Sequence, residues 1–356
     1  MKMLLALAFT VRALALPPHS TIDPFGARPL MAVSRDGTVA ATVIIGGFST
    51  RVAVWNAAGG WHLLASPALP PGVDTVELTV AGFDANGALL ANASASYGTA
   101  VRRMHDVAFR ARGAALSALD FSTCPYLPRS PGAAIAGFYT DGDAIATLQS
   151  QELVDINDLS GQLAPIVVRM RGTECAYLGN GTAIATAGPY AVGYAGYVGN
   201  VPQSPSVVTK QRYVALRWHG DERKVLGAGE ALALSADGSA AGADAPPGLG
   251  PSYGVVPHAR LWPASGDPID LDAGPSLSVG YALDANGRVA GMIEDADGRH
   301  HAFLWQAGRM QLLDDIAHAA DWRFESAYAF GPDGSIVGIG VYREKATGFV
   351  LEPRSI

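Results

Sequence analysis

A short pattern that returns about every 49 residues constrains the fold of this chain more than any other feature. In the clearest copy, Tyr281–Gly291, a turn at Asp284-Ala285-Asn286-Gly287 separates two apolar runs, and His301–Trp305 follows. Sequence periods of roughly 20–50 residues are typical of solenoids, propellers and repeat arrays. The fold should therefore consist of equivalent units rather than one irregular core.

The unit recurs along the whole 356-residue chain. Its turn glycines are Gly37, Gly87, Gly142, Gly238, Gly287 and Gly334. The interval between Gly142 and Gly238 is about twice the others, and a degenerate copy lies inside it, with Ala191–Tyr194 and Ala215–Trp218 but no Asp-Gly turn. This spacing predicts seven units, or six if the degenerate copy is not a complete one.

Each unit has the content of one propeller blade. Asp-Gly or Asn-Gly between two apolar runs predicts a tight hairpin, which we expect to be a type I′ turn. A third strand ends in an aromatic residue, and a fourth follows, as in Trp61–Leu64 and Met310–Leu313. Four short antiparallel strands per repeat predict an all-β fold, a β-propeller of about seven four-stranded blades. The recurrent Trp55, Trp218, Trp262 and Trp305 are expected to pack between blades.

The two ends of the chain must close the ring. The last unit has no fourth strand after Glu352, so another segment has to cover that sheet edge. We predict that the segment near Thr21-Ile22-Asp23 supplies the strand. Helical spacing within residues 311–324 predicts a short helix between two blades.

The N-terminus predicts export. Lys2 precedes a short apolar run, and Ala13 and Ala15 are small residues at the cleavage positions of a signal peptide. Residues 1–15 are interpreted as a signal peptide and 16–356 as a single propeller domain; alternatively, the apolar run is a first strand of the fold. The expected location is secreted or periplasmic, and no later apolar stretch is long enough for membrane insertion.

Composition narrows the partners. The net charge is −7 without a long basic run, which disfavours nucleic acid and anionic membrane surfaces. The chain has two cysteines, Cys124 and Cys175. In an exported protein they are candidates for a disulfide, and the alternative is two buried thiols.

The best copies of the repeat, Tyr281–Gly291 with His301–Trp305 and Ala231–Gly242 with His258–Trp262, resemble the HAF repeats of bacterial extracellular proteins. The resemblance covers the last third of the chain best. It implies an exported repeat protein with a propeller-like fold. It implies no particular activity and no catalytic residues.

Three glutamates are the only candidate site residues that the repeat itself does not explain. Glu77, Glu230 and Glu325 each precede the first strand of a unit and could surround one mouth of a central channel. A pair of channel carboxylates could act as general acid and base on a glycoside. Their offsets from the turn glycine differ in parity, which favours solvated strand ends instead. The once-per-repeat aspartates are explained by turn formation.

The sequence therefore predicts an exported, monomeric binding scaffold for a protein or a glycan, without a cofactor or metal. The alternative is a propeller enzyme, a hydrolase or lyase, that acts on glycans through the channel carboxylates. A Gly-x-Ser-x-Gly sequence at Gly250–Gly254 is interpreted as a loop, because the strand-turn-helix context of a nucleophile is missing.

Overall fold

The computed structural model describes residues 9–22, 30–46, 49–65, 75–97, 103–112, 115–125, 132–149, 165–196, 213–245, 256–272 and 274–354. These residues form short strands and one short helix. The sequence Gly250–Gly254, which is interpreted above as a loop, lies outside the described residues.

The strands group into seven antiparallel sheets, which we number as blades along the chain. Blade 1 contains β2 (Ser20–Thr21), β3 (Met31–Val33), β4 (Val39–Ile45), β5 (Ser49–Asn56) and β6 (Gly60–Leu63). Blade 2 contains β7 (Thr75–Phe83), β8 (Leu89–Tyr97), β9 (Arg103–Arg112) and β10 (Ala115–Ala118). Blade 3 contains β11 (Gly132–Phe138), β12 (Ala144–Gln149), β13 (Ile166–Arg171) and β14 (Glu174–Asn180).

The degenerate repeat forms a complete blade 4, with β15 (Thr182–Ala187), β16 (Tyr190–Gly196), β17 (Tyr213–His219) and β18 (Glu222–Ala228). Blade 5 contains β19 (Glu230–Leu234), β20 (Ala240–Ala243), β21 (Ala259–Trp262) and β22 (Ile269–Asp270). Blade 6 contains β23 (Ser278–Leu283), β24 (Val289–Glu294), β25 (His300–Gln306) and β26 (Arg309–Leu312). The helix α1 (Leu313–Ala317) then leads to blade 7, which contains β27 (Trp322–Phe330), β28 (Ile336–Tyr342) and β29 (Lys345–Pro353).

The sheets form a closed ring. Strands β7, β11, β15, β19, β23 and β27 each begin a blade and contact the corresponding strand of the next, and β27 contacts β3 of blade 1. This arrangement confirms the prediction of a seven-bladed β-propeller with four-stranded blades. The expected helix between two blades is confirmed as α1.

The prediction for ring closure was wrong in its position. Strand β1 (Phe9–Leu14) pairs with β29, from Phe9 opposite Pro353 to Leu14 opposite Gly348, and so supplies the fourth strand of blade 7. Ser20 and Thr21 instead pair with β4 in blade 1. The closing strand therefore lies within residues 1–15, the segment interpreted as a signal peptide. In this structure the segment contributes a strand of the fold, which was the alternative interpretation.

The repeated hairpin turns also differ from the expected type. In blade 1 the amide of Gly37 donates to the carbonyl of Ser34 (3.1 Å), and the amide of Ser34 donates to the carbonyl of Thr38 (2.9 Å). Gly37 has a φ of +82°, whereas Asp36 is not among the residues with positive φ. The turn is thus type I followed by a left-handed glycine, because a type I′ turn needs positive φ at both central positions. That geometry occurs between β28 and β29, at Arg343 and Glu344 (φ +47° and +66°).

The second glycine of the repeat lets two strands approach closely. A Cβ added to Gly242 would lie 1.9 Å from the carbonyl oxygen of Glu230, and one added to Gly291 would lie 1.9 Å from that of Val279. In both blades the register of the first strand shifts beside this contact, which marks a β-bulge. The spacing between the turn glycine and the second glycine therefore recurs because the second glycine must lie opposite the bulge of the first strand.

The recurrent tryptophans pack the blades together, as expected. Trp218 and Trp262 are buried, and the Trp218 indole N–H donates to the carbonyl of Leu178 in the preceding blade (3.1 Å). Trp218 therefore buries a large apolar area and also bonds its one polar atom, as buried tryptophans usually do.

Candidate ligand-binding cavity

The first strands of the blades enclose a central cavity of about 640 Å³. Its size falls within the roughly 300–1,000 Å³ range of small-molecule pockets. Every blade contributes to the lining, mainly through β3, β7, β11, β15, β19, β23 and β27. The cavity is therefore a product of the whole ring, and no single repeat contains it.

One side of the cavity, from blades 1–4, carries the polar side chains, which we call the polar arc. Its members are Thr42, Glu77, Thr79, Asn92, Ser94, Thr147 and Thr182. The other side, from blades 5–7, is lined by large apolar and aromatic side chains, which we call the apolar arc. Its members are Leu232, Leu234, Tyr281, Leu283 and Phe330. Blades 1–4 also contribute apolar side chains, so the cavity is amphipathic in the sense that its polar side chains are confined to the polar arc. These apolar residues are Leu30, Met31, Val33, Val80, Ile135 and Ile184.

Three residues of the polar arc also tie blades together. The Thr42 hydroxyl accepts from the amide of Val80 (3.0 Å), and the Thr147 hydroxyl accepts from the amide of Ala183 (2.9 Å). The Asn92 side chain accepts from the amide of Ile135 (2.8 Å) and donates to its carbonyl (3.0 Å). Each bond joins the second strand of one blade to the first strand of the next. These side chains therefore hold the cavity wall in place.

Sequence reasoning missed these residues, although a signal existed. Thr42, Asn92 and Thr147 all lie five positions after a turn glycine. The register of the strands places Ala243, Met292 and Ile339 at the equivalent position in blades 5–7. A polar residue at this one repeat position, in only part of the ring, distinguishes the two arcs.

The structure does not bring the three candidate glutamates together. Glu77 is exposed and lines the cavity from β7, opposite Ser94. Glu230 is buried at the start of β19, and Glu325 pairs with Arg323 on β27. Neither of these two lies among the residues that line the cavity. The strand register explains the separation, because Glu325 lies in a bulge and Glu230 pairs nearer the turn than Glu77 does.

Cys124 and Cys175 form a disulfide. Cys124 follows a turn that begins at Phe121, after the last strand of blade 2, and Cys175 lies on β14, the outer strand of blade 3. The disulfide therefore links the segment that connects blades 2 and 3 to the outer strand of blade 3. It lies outside the cavity lining and has a structural role.

Comparison with known proteins identifies the architecture. No protein-family model matches the chain, and no curated protein matches its sequence. Among solved structures, the chain is similar to the β-propeller domain of the Trilobed protease from Pyrococcus furiosus, which has an open velcro topology. The TM-score is 0.51 at 9% identity, over 90% of this chain and 93% of that one.

Two further similarities are of the same kind. A puromycin-hydrolyzing peptidase of Mycobacterium tuberculosis matches with a TM-score of 0.50 and 14% identity, over 95% of this chain and 56% of that one. The Aleuria aurantia lectin matches with a TM-score of 0.36 and 11% identity, over 85% and 96%. The similarities to the Trilobed protease domain and to the peptidase, at 9% and 14% identity, establish the β-propeller fold and nothing about activity. Unlike an open ring, this one is closed by β1 in blade 7.

Proposed function

We propose that this protein is an exported, non-catalytic binding propeller that takes a glycan segment into its central cavity. The observation that carries the proposal is the amphipathic division of the cavity into a polar and an apolar arc. A sugar ring offers the same division, since its hydroxyl groups need hydrogen-bond partners and its C–H faces pack on apolar and aromatic surfaces. A pocket with a few placed polar groups on an apolar wall is the usual form of a ligand site.

The charge of the cavity favours a neutral ligand. Among the described residues that line the cavity, Glu77 is the one acidic residue, and none is a lysine, arginine or histidine. An anionic ligand would be repelled by this carboxylate, whereas a sugar hydroxyl can donate to it. A peptide with a basic side chain could also form an ion pair with Glu77. The experiment below therefore compares glycan ligands with peptide ligands.

The rival hypothesis, a glycan hydrolase or lyase, loses the residues proposed for it. Acid–base cleavage of a glycoside normally uses two carboxyl groups about 5–10 Å apart. Of the three candidate glutamates, Glu77 alone lines the cavity. Binding without cleavage is therefore the function that this geometry supports better.

Export is supported by the Cys124–Cys175 disulfide, because disulfides persist mainly in oxidising compartments. The resemblance to HAF repeats supports it as well. Cleavage after Ala15 would remove β1 and expose β29, so the proposed mature protein retains Phe9–Leu14. No helix in the described part of the chain is long and apolar enough to cross a membrane.

The test is a combined glycan and peptide array probed with the protein, followed by titration of the best ligand. The Glu77→Gln variant keeps the shape of the side chain and removes its charge. The matched control is Glu325→Gln, which makes the same change outside the cavity lining. We expect Glu77→Gln to weaken glycan binding about tenfold or more, as for the loss of one charge-assisted hydrogen bond, and Glu325→Gln to leave it unchanged.

Three results would contradict the proposal. Exclusive binding of basic peptides would replace the glycan by a peptide ligand. Equal effects of the two substitutions, or release of a shortened glycan during the titration, would argue against non-catalytic binding in the cavity.

A further inference from the structure

The end of the central cavity beside the hairpin turns is lined, among the described residues, by apolar side chains alone. Four of these residues are the last residues of the first strands β3, β19, β23 and β27, directly before the turns. Two are alanines that lie two residues before the ends of β7 and β15. We call this group the apolar collar, and its members are Val33, Ala81, Ala185, Leu234, Leu283 and Phe330.

The collar is apolar surface that the chain itself leaves accessible. All six side chains are half-buried, although each belongs to a strand at the centre of the ring. Six of the seven blades contribute one residue each. Contiguous apolar surface that a protein leaves accessible commonly marks a site for a ligand or partner.

The polar side chains of the lining begin farther from the turns. On β7, Thr79 lies four residues before the last residue of the strand, and Glu77 lies six residues before it. Ser94 pairs with Glu77 in the sheet, and Thr182 is the first residue of β15, at the end away from its turn. The cavity therefore also changes character along the first strands, from polar groups near Glu77 to the apolar collar.

The two ends are too far apart for one sugar ring. Six residues of an extended strand span roughly 20 Å at about 3.3 Å per residue. A ring whose hydroxyl group bonds the Glu77 carboxylate therefore cannot also contact Phe330 at the end of β27. A ligand that uses both ends of the cavity must be elongated.

The collar also selects the chemistry of the second end of the ligand. A sugar hydroxyl placed among Leu234, Leu283 and Phe330 would lose its hydrogen bonds to water without a replacement from these side chains. An alkyl chain has no hydrogen bonds to lose, and its burial is favourable in proportion to the apolar area removed from water. The collar therefore suits the hydrocarbon part of an amphiphilic ligand.

We propose that the ligand of the central cavity is a glycoside with an alkyl or acyl chain, whose sugar lies near Glu77 and whose chain occupies the apolar collar. This inference rests on the proposed glycan function and narrows it to glycolipid-type ligands. It also assigns an orientation, because the sugar and the chain lie at opposite ends of the first strands.

The experiment titrates the full chain with the methyl, hexyl and octyl glycosides of glucose, galactose and mannose, below the concentrations at which they form micelles. Octanol, which has the chain without the sugar, is the comparison ligand. We expect affinity to rise with chain length in at least one series by about fourfold per CH₂ group, which corresponds to about 0.8 kcal/mol. Calorimetry should show a more negative heat-capacity change for the octyl than for the methyl glycoside.

Substitutions at the two ends should have different effects. Leu283→Ser, in the collar, should lower the ratio of octyl to methyl affinity about tenfold or more, because the chain then packs against a hydroxyl group. Glu77→Gln should weaken both glycosides and leave this ratio unchanged. The matched control is Leu226→Ser, which makes the same change at a half-buried leucine outside the cavity lining and should alter neither affinity.

The inference is overturned if affinity is independent of chain length in all three series, or if octanol binds as tightly as the octyl glycosides. An unchanged affinity ratio in Leu283→Ser would overturn the collar as the position of the chain. Should that variant fail to fold, Ala185→Phe, which fills the collar from within, must lower the ratio instead. Binding of unsubstituted glycans without any gain from the chain would leave the proposed function intact, whereas absence of binding by every glycan and glycoside would contradict both.

Discussion

At the scale of single residues, the turn aspartates explain why the repeat can be recognised. In blade 5 the carboxylate of Asp237 accepts from the amide of Ser239 (2.8 Å) and from the hydroxyl of Ser235. The Asp84 carboxylate accepts from the amides of Asn86 (2.9 Å) and Ala88 (2.8 Å). Each of these aspartates bonds the amides of its own turn, which explains why an aspartate recurs in the first hairpin of every blade except blade 4.

These bonds make stability depend on pH. The Ser235 hydroxyl is the main cause of a lowered pKa for Asp237. A carboxyl group whose pKa is lower in the folded state stabilises the fold above its unfolded pKa, near 3.8, and loses that contribution as the pH falls through the folded pKa. We expect Ser235→Ala to reduce the unfolding free energy at pH 7 and to have a smaller effect below pH 3.8, in urea unfolding at both pH values.

The control for this prediction is Ser265→Ala, which removes an exposed hydroxyl from the loop between β21 and β22. It should change stability equally little at both pH values. An effect of Ser235→Ala that grows towards acid pH would contradict the assignment.

At the scale of elements, the hairpins could be predicted from sequence and the closing strand could not. The turn needs a glycine in the left-handed conformation, such as Gly37, at a fixed position. The hairpin can therefore be recognised from a few neighbouring residues of the sequence. Strand β1 pairs with a partner more than 330 residues away, and no local rule marks that pairing. Its first residues, Phe9–Val11, are also the end of the apolar run that was interpreted as an export signal, because a strand and a signal can both use a short apolar segment.

Removal of residues 1–14 should therefore destabilise the protein more than removal of residues 1–8. The first deletion exposes the edge of β29 and the buried Leu351, whereas the second leaves β1 in place. We expect a markedly lower melting temperature and greater aggregation for the longer deletion alone, measured by thermal unfolding and light scattering. Equal melting temperatures for the two deletions would show that β1 does not close the ring.

At the scale of the whole molecule, the ring is symmetric in its backbone and asymmetric in its side chains. Polar ties such as Asn92–Ile135 and arginines that bond the next blade, such as Arg169 with Asp221, are concentrated in blades 1–4. At the register position of Arg169, blades 5 and 6 have the aliphatic residues Leu261 and Leu304. The repeat could predict the number of blades because it records what the blades share. It could not predict the central cavity, because the lining depends on residues in which the blades differ.

The disulfide tests how far this ring behaves as one unit. The bond between Cys124 and Cys175 closes a loop of 51 residues and spans the connection of blades 2 and 3. Because a cross-link of this length restricts the unfolded chain, its loss should cost about 2–4 kcal/mol of unfolding free energy. We expect this decrease in the Cys124→Ala/Cys175→Ala double variant, measured by denaturant unfolding, with one transition retained. A reductant should destabilise the unmodified protein to the same level and leave the double variant unchanged. A second transition in the variant would mean that blades 2 and 3 separate before the other blades unfold. In that case the disulfide, and not the closed ring, would make the unfolding of the unmodified protein cooperative.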